Sequence, residues 1–397
     1  MDTNTNMNMN MNKEIKKEAK KISPLREIKN NLKWSHYINY VLVLAAIAVM
    51  IGLDSVGALN STNKDLLVKT GYYAILTVSL NLIVGFLGEL SLGHAALMCV
   101  GAYAGGIVAK ALVGLPTILM FPVSLLAGGL LGAVFGAIMG LPALRLRGDY
   151  VAIITLAFTQ IIKNAADNLT PITGGAAGLK GVPIRTNYLN CFIVLFVCLI
   201  FAQNFIKSKH GRIVRAIRDN SIAASACGVS IAKYKILVFC FAGALAGIAG
   251  ALATMYRGAV YPNNYTYNES INILVMVVLG GMGNITGSLI SAAILTFVPQ
   301  YLKVIGFTDA YRMVAYAVIL IVIMILNNMT WFKRIKANIS VTLNNITEEH
   351  KKKRAELREM AEKQLVRQVA EKSGNEEVLL RSGFKESKRA SHRHGRR

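Results

Sequence analysis

Long apolar runs separated by short polar stretches make up most of this chain. A helix needs about 20 mostly apolar residues to cross a bilayer, and a spanning segment must satisfy its own backbone hydrogen bonds. The pattern therefore predicts an all-α polytopic transmembrane helix bundle of about 8–10 spans with basic cytoplasmic tails. The candidate spans lie near residues 37–57, 66–86, 92–112, 117–141, 150–166, 189–206, 236–256, 270–283, 286–302 and 311–328.

Two of these runs, 270–283 and 286–302, are separated by a single short turn around Gly283, Asn284 and Ile285. Such a pair fits two full spans, and it equally fits two half-helices that meet at a re-entrant turn. The sequence leaves both arrangements open.

The composition agrees with a membrane protein. Of the 397 residues, 54% are hydrophobic and 16% are charged, whereas an average soluble domain carries about 25% charge. An ordinary soluble globular protein is therefore excluded.

The net charge of +23 at first suggests a polyanionic partner, but its distribution indicates topology instead. Residues 1–33 hold eight basic and four acidic residues, and residues 333–397 hold eighteen and nine. Because basic residues favour the cytoplasmic side of a membrane, both termini are expected in the cytoplasm. No nucleic-acid partner is expected. The chain thus divides into a polar, basic segment 1–36, a transmembrane domain 37–332 and a charged cytoplasmic tail 333–397.

Glycine recurs at a four-residue spacing inside two of the runs, at 128, 132, 136 and 140 and again at 243 and 247. Small residues at this spacing let helix backbones approach closely in lipid. The pattern predicts a compact bundle and says nothing about a substrate.

Residue patterns that carry enzymatic chemistry are absent from the sequence. No Gly-Lys dipeptide occurs, so a G-x-x-x-x-G-K-[ST] phosphate loop is excluded, and there is no H-E-x-x-H or G-x-S-x-G motif. The five cysteines have no C-x-x-C spacing. We therefore expect no catalytic residue, no cofactor and no metal site.

The acidic residues of the middle of the chain lie at span ends or in loops, which disfavours an ion-coupled carrier. The pair closest to the membrane is Glu89 and His94, in the stretch GELSLGHAA. It fits a place on a transport pathway, and it equally fits a polar turn and helix cap between two spans.

Residues 207–235, which we call the docking loop, hold seven basic residues and the single acid Asp219. The loop is too polar to span and too short to fold alone. Its arginines and small residues fit a surface that binds a cytosolic partner, although a plain basic loop would also obey the positive-inside rule.

Five blocks, in this order, resemble LivM-type permease subunits of branched-chain amino acid ABC importers. They cover roughly residues 70–325 and are specific when taken together. The blocks are SLNLIVGFLGELSLGHAAL (79–97), LRLRGDYVAIITLAF (144–158), LTPITGGAAGL (169–179), GRIVRAIRDNSIAASACGVSIAKYK (211–235) and ESINILVMVVLGGMGNITGSLISAAIL (269–295).

The resemblance implies that this chain forms half of a translocation pathway in a bacterial-type cell membrane. It also implies a second permease subunit as heterodimer partner, cytosolic ATP-binding subunits, and an extracytoplasmic binding protein that delivers leucine, isoleucine or valine. Transport would proceed by alternating access, with ATP hydrolysed by the partners.

The resemblance further assigns residues to two roles. The docking loop would contact the ATP-binding subunit through Gly211, Arg215, Arg218, Asp219, Ala223 and Gly228. A pathway or hinge would use Gly280, Gly281, Gly283, Asn284, Thr286 and Gly287, together with Glu89 and His94.

Three alternatives stay open on sequence grounds. A urea or short-chain amide permease of the same family has a similar architecture. An ion-coupled carrier would belong to another class, and a membrane scaffold would make the basic tail the functional part.

Overall fold

The structure, a computed structural model, describes residues 39–40, 42–48, 50–52, 54, 60–146, 148–304, 318 and 321. The tail 333–397 and the segment 1–36 lie outside these residues, as does most of the run 311–328. The described residues at 39–54 are helical, as the first apolar run predicts.

The described part of the chain is almost entirely helical, which confirms the all-α prediction. The helix after this segment, which we label α1 (Ser61–Asn81), continues directly into a π-helical turn (Leu82–Leu87). Ten helices follow: α2 (His94–Ala111), α3 (Thr117–Ala143), α4 (Asp149–Asn168), α5 (Thr170–Thr173), α6 (Tyr188–Lys207), α7 (Lys209–Asp219), α8 (Ser221–Ala226), α9 (Ile231–Arg257), α10 (Tyr267–Gly280) and α11 (Ile285–Val304).

A two-stranded sheet joins two loops at one end of the bundle. Strand β1 (Leu179–Lys180) pairs antiparallel with β2 (Ala259–Val260), so that Leu179 lies opposite Val260. Two 3₁₀ turns, Gly175–Ala177 and Pro262–Asn264, flank it.

Five helices of the described chain are long and apolar enough to cross a membrane: Ser61–Leu87, His94–Ala111, Thr117–Ala143, Tyr188–Lys207 and Ile231–Arg257. Each coincides with an apolar run that the sequence predicts. The run 150–166 also forms a helix, α4, which carries a Lys163–Asp167 ion pair of 3.1 Å at its end.

The core is built around α9, which packs against α2, α3 and α1. A Cβ at Gly243 would overlap the carbonyl oxygen of Gly132, and one at Gly247 would overlap that of Gly128. Because a spacing of four residues brings glycine to the same helix face at each turn, α3 and α9 meet backbone to backbone. The glycine pattern therefore marks a helix contact within this chain.

The runs 270–283 and 286–302 form a helical hairpin. Helix α10 has 14 residues, a length of about 21 Å, whereas the hydrocarbon core is about 30 Å thick. By length α10 is thus shorter than a full span. The turn contains Gly281 and Gly283 at φ of +88° and +84°, a conformation that glycine adopts without strain.

Candidate functional site

The docking loop folds into two short helices, α7 and α8, at one end of the bundle. The Ser208 hydroxyl caps α7 by accepting a hydrogen bond from the Gly211 amide (3.3 Å), and the Asn220 side chain caps α8 by accepting from the Ala223 amide (3.0 Å). Both are residue types that cap helix N-termini well. The caps explain why this polar loop is helical.

Helix α7 is amphipathic. Gly211, Val214 and Ile217 are buried, and Gly211 has no room for a side chain because a Cβ would overlap the carbonyls of α6. The other predicted docking residues are exposed, namely Arg215, Arg218, Asp219, Ala223 and Gly228. The loop therefore has an exposed surface of basic and small residues.

Arg218 also reaches back from the docking loop to the membrane helices. Its guanidinium donates a hydrogen bond to the carbonyl oxygen of Gly85, in the π-helical turn. A Cβ placed on Gly283 would lie 3.3 Å from Arg218 Nη1. One docking residue thus lies against both the end of α1 and the turn of the hairpin.

The π-helical turn and the hairpin turn are joined directly through Asn81. Its Oδ1 accepts from the Gly283 amide (2.8 Å), and its Nδ2 donates to Ser288 Oγ (2.8 Å) and to the Asn284 carbonyl (3.2 Å). A Cβ at Gly85 would overlap the backbone of Gly283. The predicted hinge therefore packs against the end of α1. Asn81 lies four residues before Gly85, the residue that Arg218 contacts.

The other residues of the predicted hinge make contacts within the hairpin and with Asn39. A Cβ at Gly287 would overlap the carbonyl oxygen of Gly280, so the two helices cross there at backbone distance. Asn284 Oδ1 accepts from the Gly287 amide (3.3 Å), and Thr286 Oγ1 donates to Asn39.

Glu89 and His94 have separate partners. Glu89 forms an ion pair with Lys235 of α9, and each side chain is 12% exposed. Burial raises the pKa of the Glu89 carboxyl, against the opposite effect of Lys235. His94 is fully buried, with Nε2 2.9 Å from Ser79 Oγ, which in turn donates to the Ala242 carbonyl (2.6 Å). Glu89 thus belongs to the docking end, whereas His94 connects α2, α1 and α9 in the core.

A second polar cluster lies near the half of α1 that begins at Ser61. Arg257 donates to the Tyr72 hydroxyl (3.1 Å), and the Tyr73 hydroxyl donates to Glu269 Oε1 (2.6 Å). Tyr73 also borders a cavity of about 270 Å³ between α1, α10 and α11.

Sequence reasoning did not select Asn81, Gly85 or Lys235 as site residues. The first two had a usable signal, because an asparagine and a glycine four residues apart interrupt an otherwise apolar helix. Lys235 gave none, since its partner Glu89 lies far away in the sequence.

Residues 64–324 match the family described as the permease component of branched-chain amino acid transport systems. The high-affinity branched-chain amino acid permease protein LivM of Escherichia coli is 32% identical over 60% of this chain and 63% of its own length. The LivM of Salmonella typhimurium is 31% identical over 58% and 61%. The chain thus spans about three fifths of the length of these relatives.

The ribose import permease protein RbsC of Haemophilus influenzae is 28% identical over 74% of this chain and 93% of its own length. No solved structure matches the chain.

Proposed function

Because the chain belongs to the family of permease components of branched-chain amino acid transport systems, we propose that it is the transmembrane permease subunit of an ABC importer for leucine, isoleucine and valine. It forms half of the translocation pathway, and a second permease subunit forms the other half. An extracytoplasmic binding protein delivers the amino acid.

The observation that carries this proposal is the docking loop. Its exposed basic face, with Arg215 and Arg218, suits an acidic surface on a cytosolic ATP-binding subunit. The chain itself has no phosphate loop, so the energy for transport comes from that partner.

Contacts of the docking loop suggest how movement reaches the pathway. When ATP draws two cytosolic subunits together, α7 and α8 move with them. Arg218 conveys the shift to Gly85 and to the turn at Gly283, which are held to each other by Asn81. A ligand drives such a change only if it binds the two states differently, and here ATP supplies that difference through the partner. The docking loop and both termini are then cytoplasmic.

Import of a ribose-like sugar is a second candidate. The observation in its favour is the match to the ribose permease of Haemophilus influenzae, which extends over 93% of that protein. A urea or short-chain amide importer is a third candidate within the same architecture.

Uptake of radiolabelled substrate by the native host separates these functions. Deletion of the gene should abolish saturable leucine uptake, and a plasmid copy should restore it. Unlabelled isoleucine and valine should compete, whereas ribose and urea should not. Loss of ribose uptake with normal leucine uptake in the deletion strain would overturn the proposal.

A further inference from the structure

The cavity of about 270 Å³ lies between α1, α10 and α11, on the half of α1 that is farther from the docking loop. Its wall combines charged, polar and apolar groups. It is lined by Leu66, Lys69, Tyr73, Asn272, Met276, Leu295, Thr296, Pro299 and Gln300.

Among the described residues, one lysine of the cavity wall has no anionic partner. Lys69 is half-buried, and within the described part of the chain it has no hydrogen bond and no ion pair. An ammonium group near a membrane is costly unless it is paired or hydrated, and it commonly marks a substrate site. Lys69 is therefore free to bind a carboxylate.

An anion lies beside the same cavity. Glu269 Oε1 accepts a hydrogen bond from Tyr73, whose ring forms part of the wall. Asn272 lies one helical turn after Glu269 on α10, and residues three apart share a helix face. Glu269 has no ion-pair partner among the described residues, so its second oxygen can accept from an ammonium group.

The remaining wall is largely apolar. Leu66, Met276 and Leu295 provide a hydrophobic surface. Pro299 has no N–H to donate to the carbonyl of Leu295, four residues earlier in α11. That carbonyl therefore lacks its ordinary helical donor.

We infer that this cavity is a binding site for a zwitterionic α-amino acid with an apolar side chain. Lys69 binds its carboxylate, Glu269 binds its ammonium group, and Leu66 and Met276 contact its side chain. The inference rests on the proposed function, since it names the place where the imported amino acid first contacts this chain.

Transport by variants of the full chain tests the site in the native host. Lys69→Met and Glu269→Gln should each lower leucine uptake about tenfold or more, as expected for loss of a hydrogen bond to a charged group. Lys69→Arg should retain most uptake. The matched control is Lys110→Met, because Lys110 is exposed and lies outside the cavity. Membrane amounts of each variant are measured in parallel.

Protection of an introduced cysteine tests binding without transport. Asn272→Cys is made in the full chain together with Cys227→Ser, because Cys227 is exposed. Leucine should slow its modification by a charged methanethiosulfonate. Leucinamide, which lacks the carboxylate, and 4-methyl-2-oxopentanoate, which lacks the ammonium group, should not. Lys69→Met should abolish the protection.

The two measurements separate the site from the function. Normal leucine import with no protection by leucine, or equal protection by leucinamide, would overturn the site and leave the proposed function standing. Protection by leucine in a chain that does not import it would overturn the function and leave the site standing.

Discussion

The guanidinium of Arg218 in the docking loop donates a hydrogen bond to the carbonyl oxygen of Gly85 in the π-helical turn of α1. A π-helical turn leaves backbone groups out of the α-helical hydrogen-bond pattern, and such turns are frequent at functional sites. The arginine thus donates to a backbone carbonyl of an irregular helical segment. The docking surface and the membrane bundle are connected by this contact.

Replacement of Arg218 should uncouple transport. Arg218→Ala removes a charged hydrogen-bond donor worth about 1.5–3 kcal/mol, so leucine uptake should fall about tenfold or more. Arg215→Glu together with Arg218→Glu should abolish it, because the docking surface also reverses charge. The chain should still insert in the membrane. Arg145→Ala, an exposed arginine elsewhere, is the control, and wild-type uptake by the double variant would refute the docking role.

Gly280→Ala should destabilise the hairpin. A Cβ at this position would lie 2.5 Å from the carbonyl carbon of Gly287, and overpacking of this kind costs about 1–3 kcal/mol. Thermal unfolding of the purified chain in detergent measures the loss. Gly114→Ala is the control, since nothing lies within 4 Å of an added Cβ there. Equal melting temperatures for the two variants would show that the helices do not cross closely.

The sequence predicted the helices well because each apolar run is long and its length is set by the thickness of the bilayer. It also predicted the close glycine contacts, which depend on local spacing, whereas the docking role of residues 207–235 stays a prediction. Long-range polar pairs could not be predicted in this way. Asn81 contacts residues about 200 positions away, and Lys235 pairs with Glu89 across the bundle, so their roles depend on how helices are arranged rather than on any local pattern.

Removal of Lys235 should make stability depend on pH. Lys235→Met leaves the Glu89 carboxylate buried without its cation, at a cost of about 3 kcal/mol. Since burial already raises the pKa of Glu89 in the folded chain, the variant should be most stable below the unfolded pKa of about 4.3 and lose stability as the pH rises to 7.

Unfolding of the purified chain at pH 4 and pH 7 checks this pH dependence. Glu89→Gln in the Lys235→Met background should restore most of the stability at pH 7. Lys64→Met is the control, because the Lys64–Asp54 pair is substantially exposed and such pairs contribute little. A Lys235→Met variant that is equally stable at both pH values would contradict the buried pair.

Gly243→Ala should separate α3 from α9. The added methyl group would overlap the carbonyl oxygen of Gly132, and the rigid backbone cannot yield as a side chain can. We expect a loss of about 1–3 kcal/mol, measured by thermal unfolding. The control is Gly129→Ala, the same substitution in the same helix interface. Its Cβ would meet the flexible side chain of Ile248 at 3.0 Å. Equal destabilisation by both variants would argue against backbone contact.

Replacement of Asn81 should loosen the hinge while the bundle remains folded. Asn81→Leu leaves the part-buried Gly283 amide without its acceptor, and an unsatisfied buried donor costs about 1–3 kcal/mol. The hairpin turn should then exchange its amide hydrogens faster, as hydrogen-exchange mass spectrometry would show, and leucine uptake should fall. Asn190→Leu, whose hydrogen bond to the Arg185 carbonyl is long (3.5 Å) and exposed, is the control. Unchanged exchange at the turn in Asn81→Leu would mean that the glycine contacts alone hold the hairpin against α1.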